Sequence, residues 1–207
     1  MLRITALLAS LIATHALAQP FFAFSSLEPD GGLIGGMACN DCENSRFITL
    51  DLDAGNIVTA AQFRLWNSSE VSAFSWDVRV SLYTGGSAGG FPGDVITTST
   101  TPLSLEADEE GVFTFDLPDT ELTAGTLWLG IYATGERPLF WVHNYLGAPS
   151  VGNMSTSFRS RDDGTGLWTG SGNTVRQQAS LLVIPTPGTA LAFGIGSIAI
   201  IRRRRSR

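Results

Sequence analysis

The chain holds few residues able to do chemistry, and they are spread thinly. Its two cysteines form one tight pair, Cys39-Asn40-Asp41-Cys42, and of its two histidines, His15 and His143, only the second lies beyond the apolar N-terminal stretch. A short CxxC in an exported chain is expected to close as a disulfide, Cys39 to Cys42. A redox role would want a βαβ setting with a helix N-terminus to hold a thiolate, and a zinc site would need two further ligands. One histidine also leaves a Ser–His–Asp set little to build on, and no G-x-S-x-G elbow occurs. Carboxylates pair at Asp51/Asp53, Glu109/Glu110 and Asp162/Asp163. Such neighbours on turns are usually solvated, whereas glycosidase carboxyls face each other across a cleft. There is no phosphate-cradling loop ahead of a helix. The expectation is a protein that is not an enzyme. Asp162 and Asp163, followed by Gly164, are weak candidates for a structural calcium, and no other cofactor is expected.

The elements that must carry these residues read as β-strands. Helical periodicity is nearly absent between Gln19 and Ile184, while alternating or apolar runs recur between Gly, Pro, Asn, Asp and Ser. Strands are predicted near Arg46–Leu52, Ile57–Trp66, Phe74–Thr84, Asp94–Thr100, Gly111–Leu117, Thr126–Ala133, Pro138–Tyr145, Thr156–Arg159 and Ala179–Ile184, with an optional edge strand in 19–38. Nine short strands with polar turns indicate an all-β fold, an antiparallel β-sandwich of jelly-roll-like size.

One hairpin is expected in more detail. If Ala133 faces Pro138, then Trp128 lies opposite His143, Gly130 opposite Trp141 and Tyr132 opposite Leu139, on one face with Tyr145. Leu127, Leu129, Ile131, Phe140 and Val142 take the other face, which should be the core. The aromatic face then has two readings. Either loops or a flanking strand cover it, or Trp128, Tyr132, Trp141 and Tyr145 form a platform for sugar rings, with His143 fixing hydroxyls. Trp76 alternates with Phe74, Val78, Val80 and Leu82 and belongs to the core.

Charge bounds the partners. All 13 basic residues are arginine, set against 19 acids, for a net charge of −6 over 207 residues. Five arginines crowd the last six positions, so residues 19–184 hold seven arginines against 19 acids, a net −12. A body that acidic repels phosphate backbones, which argues against nucleic acid.

The two ends are the most legible parts. MLRITALLASLIATHALA places Arg3 before an apolar stretch and ends in Ala16-Leu17-Ala18, the layout of a secretory signal peptide (residues 1–18) cut before Gln19. The other end is IPTPGTALAFGIGSIAIIRRRRSR. Pro185, Pro187 and Gly188 stop the preceding strand. Thr189–Ile201 is free of charge, and thirteen helical residues reach about 20 Å against roughly 30 Å of hydrocarbon. Insertion is therefore shallow, with the arginines held on the cytoplasmic side and the acidic body outside.

Pro-x-Pro-Gly, a short glycine-containing apolar helix and a terminal arginine cluster resemble the PEP-CTERM protein-sorting signal. The match rests on Pro185, Pro187 and Gly188 for the motif, Thr189–Ile201 for the helix and Arg202, Arg203, Arg204 and Arg205 for the stop. Thr186 stands where the family usually has glutamate. The resemblance implies an exported protein of a Gram-negative bacterium that makes extracellular polysaccharide. It also implies a partner, an exosortase-type membrane transpeptidase that cuts near the motif and passes the body outward. The expected organisation is a signal peptide (1–18), a β-sandwich extracellular domain (19–184) and a sorting tail (185–207). The tail would enter the inner membrane transiently before the body reaches the cell surface or matrix. The body also resembles bacterial jelly-roll extracellular domains, many of which are carbohydrate-binding modules. An extracellular polysaccharide is accordingly the alternative partner.

Overall fold

Alternation of apolar and polar side chains builds the molecule. Strand β5 (Phe74–Thr84) shows it plainly: Trp76, Val78, Val80 and Leu82 are buried, while Ser75 and Asp77 face water. The computed structural model describes residues 19–27, 36–39, 42–50, 52, 55–86, 89–144, 151–162, 165–170 and 176–186. Around β5 run β1 (Phe21–Ser25), β2 (Gly36–Cys39), β3 (Cys42–Leu50), β4 (Asn56–Trp66), β6 (Val95–Leu105) and β7 (Glu110–Leu122). They are followed by β8 (Gly125–Gly135), β9 (Leu139–Asn144), β10 (Asn153–Asp162), β11 (Arg176–Gln177) and β12 (Ala179–Pro185).

The described strands form two sheets, every pairing antiparallel. One has five strands in the order β10-β3-β8-β5-β6; the other has seven and is built around β4, which pairs with β7, β9 and β12. A single apolar core draws on both, including Ile48, Val80 and Leu129 from the first and Phe63, Trp141 and Leu181 from the second. The architecture is an all-β sandwich, and neither sheet closes into a barrel. The C-terminal helix expected over Thr189–Ile201 lies outside the described residues.

The expected hairpin between Thr126–Ala133 and Pro138–Tyr145 does not form. Strand β8 lies in the five-stranded sheet between β3 and β5, whereas β9 lies in the other sheet against β2, β4 and β11. The physical reason is in the connection. β8 runs on to Gly135, both of its edges are laddered over nine residues, and only Glu136, Arg137 and Pro138 remain to cross to the second sheet. Trp76 pins the crossing by donating its indole N–H to the Arg137 carbonyl at 2.6 Å. Pro138, which has no N–H, could not have exchanged both hydrogen bonds with Ala133 in a hairpin. Since β9 answers to different neighbours, its facing is reversed from expectation: Leu139 and Trp141 enter the core, and Phe140 and Val142 do not.

A second crossing runs beside the first. Cys39 ends β2 opposite Leu139, and Cys42 begins β3 opposite Ala133. Cys39 and Cys42 therefore lie at the same end of the sandwich as residues 136–138. Cys42 is disulfide-bonded, and Cys39 is the one other cysteine in the sequence. At the same end of the strands, where β6 crosses to β7, buried Asn67 donates to the carbonyls of Ser72 and Glu106 at 2.9 and 2.7 Å and ties two loops together.

Candidate functional site

The outer face of the five-stranded sheet collects the most polar chemistry among the described residues. Register sets it out in rows. Glu43 lies opposite Tyr132 on β8 and Arg161 on β10, and Tyr132 lies opposite Arg79 on β5. The next row runs from Arg159 on β10 through four small residues, Ser45, Gly130, Ser81 and Thr98. Beyond it stand Phe47, Trp128 and Tyr83.

Glu43 is fully buried and takes donors from three sides. Arg161 donates Nε and Nη2 to Oε2 at 2.9 and 2.7 Å, and Arg79 donates Nη2 to the same oxygen at 3.1 Å. The Tyr83 hydroxyl donates to Oε1 and accepts from Arg161 Nη2 at 2.9 Å. Burial, and then the hydrogen bond to Glu43, push the Tyr83 hydroxyl up to about 12, so it stays a donor at neutral pH. Gly130 makes this arrangement fit. A Cβ there would come to 3.0 Å from Glu43 Oε1 and 3.1 Å from Tyr83 Cε2, so a side chain at this position would push the carboxylate and the tyrosine ring aside by a few tenths of an ångström.

Aromatic rings brace the guanidinium groups. Arg79 Cζ sits 4.5 Å from the Tyr132 ring centre, and Arg161 Cζ sits 4.3 Å from that of Trp168. Trp168 in turn meets Tyr83 edge-on at 5.5 Å. Arg159, one row along, is buried and donates to the carbonyls of Gly90 and Gly89 at 2.9 and 3.0 Å beneath exposed Phe91.

The residues of the expected aromatic platform are dispersed. Trp128 is on this outer face but fully buried, edge-on to Phe47 at 5.4 Å, and its indole N–H has no hydrogen-bond partner among the described residues. Trp141 lies inside the sandwich against Phe63, donating Nε1 to the Gln178 carbonyl at 3.0 Å. The space over Gly130 holds Tyr83, not Trp141. Tyr132 is half-buried under Arg79. Tyr145 lies outside the described residues.

His143 turns toward the space between the sheets, in register with Gln177 on β11 and on the same face as Trp141. Burial, and then the nearby charge of Arg46, lower its imidazole below the ordinary 6.5. Arg46 itself points inward from β3 on the side of Ile48, and burial pulls it down to about 9. The Gln177 amide beside them is fully buried, with neither nitrogen nor oxygen hydrogen-bonded among the described residues.

Of the tail motif, Pro185 closes β12 opposite Asn56, while Pro187, Gly188 and Arg202–Arg205 lie outside the described residues. Asp162 ends β10 and is exposed; Asp163 lies outside. Among the described residues no group of three or more His, Cys, Asp or Glu is placed to hold a metal ion. Glu109 and Glu110 part company: one accepts from the Glu106 N–H at 2.7 Å, the other pairs with Arg64.

Sequence reasoning missed Glu43, Tyr83, Arg79 and Arg161 as a unit. Their sequence separations from Glu43 are 40, 36 and 118 residues, so no local spacing announces them. The chain matches no protein-family model, and no curated protein matches it.

Proposed function

We propose that the chain is an exported, non-catalytic surface or matrix protein: a jelly-roll-like sandwich delivered by its C-terminal sorting tail and processed by an exosortase-type transpeptidase. What supports the reading is where the two ends of the sandwich lie. β1 pairs with β12 so that Phe21 faces Val183 and Phe22 faces Leu182. The leader and the tail therefore join the domain at one pole of one sheet. A cut before Gln19 falls two residues ahead of β1, and Pro185, the first residue of the motif, is the last of β12. Cleavage beyond the motif spares every described strand, as processing at both ends of a folded body requires. Thr186 donates its hydroxyl to the Gly55 carbonyl at 3.1 Å and fixes the chain up to the point where the tail begins.

Deleting residues 202–207 tests the reading in the native host. The arginine stop is lost, so the protein is expected to keep its unprocessed tail or to miss the surface, with the sandwich folded as before. Mature protein of the same mass in the same place would overturn the sorting assignment.

A further inference from the structure

We propose that Arg79 and Arg161, held apart by Glu43, form a carboxylate-binding site on the outer face of the five-stranded sheet, and that its ligand is the carboxylate of an acidic sugar, a uronic acid within a polysaccharide. The proposal stands on this face alone and does not need the tail.

The charge balance is the starting point. Both guanidiniums reach one oxygen, Glu43 Oε2, at 3.1 and 2.7 Å, so their Nη2 atoms lie no more than about 6 Å apart. Two positive charges share one negative charge, and that carboxylate is sealed from solvent. The two cations are not sealed as their partner is: the Arg79 and Arg161 side chains are 29% and 17% exposed. Donors remain as well. Arg79 gives Glu43 one nitrogen only, and among the described residues its Nε and Nη1 make no hydrogen bond. A second carboxylate between the two guanidiniums would complete an alternating ring of charges, Arg–Glu–Arg–ligand.

The form of the site narrows the ligand. A surplus of one charge fits a carboxylate better than a phosphate monoester, which carries nearly two negative charges at neutral pH. Tyr132 and Trp168 hold the guanidinium planes in place before any ligand arrives, which lowers the ordering cost of binding. Thr100, opposite Arg79, and Thr134, two residues beyond Tyr132, share this face and offer hydroxyls beside the cations. A carboxylate on a hydroxyl-rich ring meets all of these groups at once. Opposing them is Asp77, exposed on the same face of β5, and the net −12 of the body. Acids farther off are screened beyond about 8 Å at physiological ionic strength. Asp77, two residues from Arg79 and so only about 7 Å along the strand, is not, and it lowers the affinity of the site without forming an ion pair with Arg79 among the described residues.

The test is affinity electrophoresis or calorimetry of the full chain in neutral detergent, with oligogalacturonate, neutral dextran, polyglutamate and inorganic phosphate as separate probes. Oligogalacturonate is expected to bind and dextran not to. Arg79→Gln should weaken binding about 10-fold, and Arg79→Lys, which keeps the charge but loses the fork, by less. If Arg79→Gln does not fold, the lysine variant decides: affinity equal to wild type overturns the proposal. So does absence of oligogalacturonate binding, equal binding by a folded Arg79→Gln, or equal retention on dextran. Polyglutamate or phosphate binding as tightly as oligogalacturonate would overturn the sugar assignment. Each result is independent of the deletion at residues 202–207, so this site and the delivery reading fail separately.

Discussion

Three residues apart on β3, Glu43 and Arg46 are both withdrawn from water, to 0% and 1% exposure, on opposite faces of the strand. Glu43 faces outward, where β5 and β10 can send long side chains across the sheet surface, and two arginines and a tyrosine converge on it. Arg46 faces inward, where packing demands apolar neighbours. There burial pulls the guanidinium down to about 9, depresses His143 beside it and leaves the Gln177 amide without hydrogen bonds among the described residues. A charge on the outside of a sandwich can be surrounded by partners that still touch solvent. A charge between the sheets stays poorly solvated even where it has contacts. The outer cluster keeps contact with solvent through its arginines, and the inner one carries the heavier desolvation.

The largest effect should come from opening the outer cluster. Glu43→Ala leaves Arg79, Arg161 and Tyr83 facing one another with no anion, and a loss of about 3–5 kcal/mol is expected, read as a drop in the denaturation midpoint. A loss below 1 kcal/mol would mean that water replaces Glu43 and that the cluster is no tighter than a surface ion pair. The inner cluster should respond less. Arg46→Met keeps most of the volume and removes a desolvated cation, so its cost should be under about 2 kcal/mol, or the variant should be more stable than wild type. If Arg46→Met were the more damaging of the two, the contrast between the faces would collapse.

These two faces also mark where sequence reading succeeds and where it stops. Alternation gave Phe74–Thr84 to the residue, because a strand half-buried on one side writes its own pattern. Prolines misled at two places. β6 runs through Pro102 and β7 through Pro118, beyond the predicted ends at Thr100 and Leu117. Both strands are sheet edges, and the ladder of β7 shifts register between Asp116 and Thr120, which is where a missing N–H is tolerated. The assignment of strands to sheets was hidden more deeply. A connection of a few residues after β8 reads as a hairpin, and only the competition of β3 and β5 for its two edges excludes that pairing. The outer cluster was illegible for the same reason. Arg161 is 118 residues from Glu43, and nothing short of the β3–β10 register brings them together.

The smallest effect is the one that probes the inner face most directly. His143 titrates below its ordinary 6.5 because burial, and then Arg46, disfavour the imidazolium. The unfolded chain therefore takes up this proton at a higher pH than the folded one. Its contribution to stability is complete above pH 6.5, where both states are neutral, and is lost as pH falls from 6.5 through the lower folded value. One proton sets the ceiling on the slope, about 1.4 kcal/mol per pH unit, and the half-buried ring should fall well short of it. Chemical denaturation of wild type and His143→Gln between pH 5 and 7.5 isolates the term, since the other titrating groups cancel in the difference. The variant should lose less stability than wild type on acidification. In an Arg46→Met background that gap should narrow without closing, because burial is the larger cause and remains. A gap that vanished would make the guanidinium the main cause, and one that did not change would put Arg46 out of electrostatic reach of His143.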